Sequence, residues 1–177
     1  MTFQTITREM IYHGRAFNVR RDEVRLPDQH IMHVDIIEHP GAVTIVPVDD
    51  EGNILFVRQD RHAAATELLE LPAGTLDPGE QPEICARREI REETGFAAEK
   101  MEKLGEFFLA PGYSTEYMLV YLATQLHEAP LPGDEDEIIT LQRIPIKKAY
   151  AMALNGELED GKSLAALLLV QPLIGKH

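Results

Sequence analysis

Along residues 1–38 apolar and polar positions alternate in short runs, "QTITREMIYHG", "AFNVRRDEVRLP" and "IMHVDIIEH". Turn signals at His13-Gly14 and Pro27-Asp28 separate them, and the period of two predicts an antiparallel β meander. From residue 39 the pattern changes. "AVTIVPVDD" and "ILFVRQD" are nearly continuous apolar runs joined by the turn Glu51-Gly52-Asn53, which predicts a hairpin of buried strands. "TELLELPAG" predicts another short strand. "PEICARREIREETG" has helical spacing, with Pro82 suited to the first turn and Gly95 to the C-terminal cap. "KLGEFFLAPG" and "YMLVYLATQLHE" predict strands around an irregular loop, "APGYSTE". The acidic stretch "PGDEDE" leads into a further strand, "IITLQRIPI". Two helices close the chain, "IKKAYAMALNG" and "KSLAALLLVQPLI", the second apolar enough to be expected largely buried. The organisation is therefore a β meander over 1–38 followed by a mixed α+β body over 39–177.

Composition narrows the class. Hydrophobic residues make up 44% and charged residues 27% of 177 residues, within the range of a soluble globular domain with a good core. No run approaches the ~18 apolar residues of a membrane span, and the first residues carry no signal-peptide apolar region. Cys85 stands alone, so neither an internal disulfide nor a thiolate metal cluster is available, and a cytoplasmic address is expected. The formal net charge of −13 repels phosphate and argues against nucleic-acid binding through a basic surface. A phosphorylated ligand has to arrive with metal ions or meet a local cationic patch.

Against that charge, the helix predicted over "PEICARREIREETG" adds Glu89, Glu92 and Glu93 within an arc of about 100°. Three carboxylates on one face either form a solvated acidic surface or seat a hard divalent cation such as Mg²⁺ or Mn²⁺. Arg88 is spaced to orient one of them, and Gly74 begins a loop whose backbone can approach a ligand closely. Arg58 and Arg61, at the end of "ILFVRQDR", are local cations for a diphosphate or terminal sugar, the alternative being ion pairs with surface acids. Glu70, before "LPAG", is a candidate for sugar hydroxyls.

Gly74, Glu80, Arg88, Glu89, Ile90, Glu92, Glu93, Gly95 and Phe96 fill every defined position of a pattern that resembles the Nudix hydrolase signature. Seven fixed identities at about 5–7% usage each coincide by chance on the order of once in 10⁹ windows. The resemblance implies an α/β/α sandwich and Mg²⁺-dependent hydrolysis, with Mn²⁺ as a substitute, of a nucleoside diphosphate linked to another moiety. It implies Glu89 and Glu93 as metal ligands, Glu92 supporting or sharing them, and the Ala73 carbonyl completing the shell. Outside the signature, Pro111 lies sixteen residues after Gly95 in "LAPGYSTE", an offset similar to that of the ADP-ribose pyrophosphatase branch. Ala110 and Thr140 depart from that branch's usual Ser and acid. By the same resemblance Glu116 contacts metal-bound water or substrate, and a mobile glutamate before the next strand activates or positions the attacking water. Glu137 matches that place, with Glu135 in reserve. The meander then implies a homodimer. The expected reaction is ADP-ribose to AMP and ribose 5-phosphate, with GDP-mannose or another nucleoside diphosphate sugar as the alternative substrate. A ligand sensor without catalysis fits less well, since all three acids are present.

Overall fold

A computed structural model of the chain describes residues 3–133 and 138–174. The elements run β1 (Gln4–His13), β2 (Asn18–Arg25), β3 (Ile31–Glu38), β4 (Ala42–Pro47), β5 (Asn53–Arg61), β6 (Thr66–Glu70), β7 (Ala73–Thr75), α1 (Pro82–Thr94), β8 (Phe96–Phe108), β9 (Tyr117–Glu128), β10 (Ile139–Pro145), α2 (Ile146–Asn155) and α3 (Gly161–Ile174). No helix among the described residues is long and apolar enough to cross a membrane.

The chain divides into two compact units, Met1–Gly41 with Phe108–Tyr117, and Ala42–Phe107 with Met118–His177. In the first, β1, β2 and β3 form the predicted antiparallel meander, with Arg21 opposite both Glu9 and Asp35. The segment between β8 and β9 belongs to it. Ile37 donates to the Tyr113 carbonyl, and the Thr115 hydroxyl accepts from the His39 amide. Asp22 is buried beneath Arg20, which also pairs with Glu38. The aromatic residues Tyr12 and Phe17 of this unit are exposed.

The second unit is the sandwich. One sheet has the order β7-β4-β9-β8 and the other β10-β5-β6. All six residues of β4 are buried, because it runs antiparallel to β7 and parallel to β9 and is covered on both faces. Its alternation splits two cores. Val43 and Ile45 join Tyr121 and Ala123 against Cys85, Ala86 and Ile90 of α1. Val46 joins Val120, Leu122, Phe56 and Leu69 against Ala149 of α2 and Leu167 and Val170 of α3. Each such aliphatic side chain taken out of water contributes roughly 1.5–3 kcal/mol.

Two expectations are corrected here. β4 and β5 do not form a hairpin. The turn between them exists, with Gly52 at φ +79° and one bridge from Val48 to Ile54, but the strands then diverge into different sheets. α3 is only partly buried: Ala166, Leu167 and Val170 face the core while Leu168 and Leu173 lie exposed.

Candidate active site

α1 begins with Pro82, where a missing N–H costs nothing, and ends at Gly95, whose φ of +79° lets its amide reach the Arg91 carbonyl. Apolar Cys85, Ala86 and Ile90 fix the buried stripe, so the Glu89, Glu92 and Glu93 side is turned towards β7 and the loop after it. The Ala73 amide donates to Glu93 Oε2 at 3.3 Å. A Cβ built on Gly74 would lie 1.8 Å from Glu89 Oε1. Gly74 has an ordinary strand backbone, so the close approach of the Glu89 carboxylate, rather than backbone conformation, demands glycine there.

Arg88 ties this region together. Its Nε and Nη2 donate to the two Glu80 oxygens at 3.1 and 3.0 Å, and Nη1 donates to Glu89 at 2.7 Å and Glu92 at 2.9 Å. Glu80 also accepts from the Asp77 amide, closing the loop onto the helix. The hydrogen bond from Arg88 holds the Glu80 carboxyl below the usual carboxylate range, and Glu80 in turn raises the guanidinium. Burial pushes the Cys85 thiol well up, so it is neutral and takes the part of a small apolar residue.

Among the described residues, no three His, Cys, Asp or Glu side chains already converge as a metal-holding group. The donors nevertheless fit a hard divalent cation. Glu89, Glu92 and Glu93 offer only carboxylate oxygens, they share one helix face, and the backbone at Gly74 is bared to Glu89. Arg88 supplies positive charge to two of these three acids.

Strand alternation separates the two arginines that the sequence placed together. On β5, Arg58 and Arg61 point to opposite faces. Arg58 lies 3.5 Å from the exposed Glu67, an ordinary surface pair. Arg61 meets Glu70 with two 2.7 Å hydrogen bonds, from Nε and Nη2. Glu70 raises the Arg61 guanidinium, and the charges of Glu93 and Asp160 act in the same direction. The expectation that Glu70 meets sugar hydroxyls is corrected: its side chain is 3% exposed and both oxygens are taken. Its second partner is Lys162 at the start of α3. Burial pushes the Glu70 carboxyl up, but Arg61 and Lys162 outweigh it and hold it below the ordinary value.

Lys162, Asp160 and Ser163 were not picked out from the sequence. Asp160 caps α3, accepting from the Ser163 amide at 3.0 Å, and the Ser163 hydroxyl also accepts from the Leu71 amide at 2.7 Å. The signal was present in "EDGKS", an Asp three residues before Ser at the head of an apolar helix.

Pro111 and Glu116 lie in the first unit, in a segment whose Tyr113 and Ser114 amides return to the Ala110 carbonyl. The Glu116 amide is held by the Ser114 hydroxyl. Glu135 and Glu137 lie outside the described residues.

A NUDIX domain model matches residues 38–167. The chain is 43% identical over 171 residues to an ADP-ribose pyrophosphatase of Mycobacterium tuberculosis, covering 95% of this chain and 83% of that protein. It is 34% identical over 165 residues to a GDP-mannose pyrophosphatase of Enterobacter sp., covering 87% and 86%. A solved structure described as an ADP compounds hydrolase superposes with a TM-score of 0.87 at 24% identity, covering 99% of this chain and 95% of the other.

Proposed function

The chain belongs to the Nudix family of hydrolases, and on that footing we propose that it hydrolyses the diphosphate of ADP-ribose to AMP and ribose 5-phosphate. The observation that carries the reading is the face of α1 on which Glu89, Glu92 and Glu93 lie against Ala73 and Gly74, with Arg61 within electrostatic reach of Glu93. The greater identity of the ADP-ribose pyrophosphatase relative, and the larger share of this chain that it covers, favour that substrate over GDP-mannose, the second reading.

Glu89, Glu93 and Glu92 would hold a divalent cation, Mg²⁺ with Mn²⁺ as a substitute, with the Ala73 carbonyl as a further oxygen donor. When bound, such a cation supplies positive charge against a phosphoryl oxygen and the leaving phosphate. Arg88 holds Glu89 and Glu92 in place, and Glu80 holds Arg88. Arg61 presents a guanidinium to the diphosphate, the geometry that suits paired phosphate oxygens. In the reaction a water oxygen bonds to one phosphorus, the bridging P–O bond breaks, and a carboxylate takes the water's proton. We assign that carboxylate to Glu137, which stands two residues before β10, with Glu135 and Glu92 as alternatives. By the resemblance Pro111 and Glu116 are assigned to substrate binding and Arg58 to the diphosphate or terminal sugar.

The protein is further proposed to act as a homodimer through the meander. All ten residues of β1 are exposed, and Ile6, Met10, Ile11, Tyr12, Ile31 and Met32 place a large apolar area on this sheet, as a self-association surface requires. The direct test of the function is phosphate release in a coupled assay with alkaline phosphatase. ADP-ribose and Mg²⁺ with the protein give phosphate, and absence of release contradicts the reading.

A further inference from the structure

Behind Arg61 lies a chain of charges that the reaction outlined above does not use. Asp160, Lys162, Glu70 and Arg61 alternate in sign, each touching the next, and the first three side chains are 14%, 10% and 3% exposed. Lys162 Nζ donates to Asp160 at 3.0 Å and to Glu70, whose two oxygens receive Arg61. Asp160 is itself fixed as the cap of α3, and Ser163 beside it bonds the backbone of Leu71, one residue beyond Glu70. Desolvating a lysine and a carboxylate is costly, and a buried ion pair of this kind is often replaceable by apolar packing without loss of stability. Its presence therefore calls for a reason other than stability.

The geometry of Arg61 supplies one. Glu70 engages Nε and Nη2, and the side chain nevertheless remains 39% exposed, open to a ligand. A carboxylate held by one arginine alone can swing with it. A carboxylate also gripped by a buried lysine fixes the plane of the guanidinium, so that the rotamer freedom of a long side chain is lost before substrate arrives.

We propose that Lys162, seated by Asp160 at the head of α3, is a positioning residue that acts through Glu70 to hold Arg61 in the orientation that receives the substrate's diphosphate. This rests on the reading of Arg61 as a diphosphate contact. Because the diphosphate is common to every nucleoside diphosphate sugar, it does not depend on which sugar is cleaved. Preorganisation of a group that binds ground and transition states alike appears in KM rather than kcat.

The test is a double-mutant cycle of Lys162→Met and Arg61→Ala, read as kcat and KM for ADP-ribose and as Kd for α,β-methylene ADP-ribose by calorimetry. Lys162→Met should raise KM and Kd roughly tenfold, the scale of coupling between charged groups in contact, with kcat within about threefold of wild type. In the Arg61→Ala background the same substitution should change neither. Lys162→Arg should restore most of the affinity. Asp160→Asn keeps a helix-capping side chain while weakening the seat of Lys162, and should raise KM with an unchanged Tm. It serves should Lys162→Met not fold. An effect of Lys162→Met or Asp160→Asn that is the same with and without Arg61, or no effect on KM and Kd in either, overturns the proposal. If the wild-type protein leaves ADP-ribose intact but cleaves another nucleoside diphosphate sugar, the functional reading fails. The cycle run on that substrate then decides the relay separately. A wild-type protein that cleaves no diphosphate at all overturns both.

Discussion

Replacing Gly74 by alanine tests how closely the signature loop is fitted to the helix. The new Cβ would fall 1.8 Å from Oε1, 1.9 Å from Cδ and 2.5 Å from Cγ of Glu89, far inside contact distance. The carboxylate cannot simply rotate away, because Arg88 holds it at 2.7 Å and Glu89 is 8% exposed. Either the helix face or β7, which pairs with β4 through Gly74 opposite Val43, has to move. Overpacking of a tight site costs about 1–3 kcal/mol. At about 2–4 °C per kcal/mol for a chain of this size, Tm should fall by roughly 2–12 °C. Activity should suffer more than stability, since a ligand displaced from its support loses on the order of 10–100-fold in metal affinity. The assay is a thermal melt paired with a Mg²⁺ titration of turnover. Gly133→Ala is the control for stability: among the described residues its Cβ would meet nothing closer than 3.6 Å, and Tm should hold. If Gly74→Ala turns over at the wild-type rate with the wild-type Mg²⁺ requirement, the fit between Gly74 and Glu89 has no bearing on catalysis.

Glu93→Gln keeps the shape of the side chain that accepts from the Ala73 amide but removes its charge, and should lower turnover roughly 10²-fold; activity that survives both this change and excess chelator rejects a metal seat at α1. Glu137→Gln should lower kcat by about 10²–10⁴ with little change in KM, and Glu135→Gln by much less; reversal of the two in steady-state kinetics moves the base to Glu135. Sedimentation of the intact chain should give a species of twice the 19.9 kDa chain mass at micromolar concentration, and removal of residues 1–38 should abolish it; a monomer from the intact chain contradicts the shared assembly.

The parts of this site that the sequence reveals are those confined to a short span. Glu89, Glu92 and Glu93 share a face because 3.6 residues make a turn, and Pro82 and Gly95 mark the ends of that helix for purely local reasons. The β4–β5 pair was misread because its turn is local and real, whereas the partner that claims β4 is β9, about seventy-five residues on and parallel. Nothing in an apolar run says which distant strand it will meet. Glu70 was misread similarly: its position beside Arg61 is visible, but the lysine that occupies it comes from 92 residues away. The separation of Arg58 from Arg61 was within reach of the sequence, since three residues along a strand reverse the face. Tyr12 and Phe17 lie exposed because a three-stranded meander has too little interior to bury every apolar side chain it carries.

The central claim is that the acidic face of α1 and the arginine beside it act on the diphosphate of ADP-ribose. The most direct measurement is kcat/KM for ADP-ribose and for GDP-mannose under the same Mg²⁺ concentration, with products separated by ion-exchange chromatography. The account predicts AMP and ribose 5-phosphate from ADP-ribose, at a kcat/KM at least about tenfold above that for GDP-mannose. A higher kcat/KM for GDP-mannose, or no AMP from ADP-ribose, would contradict it.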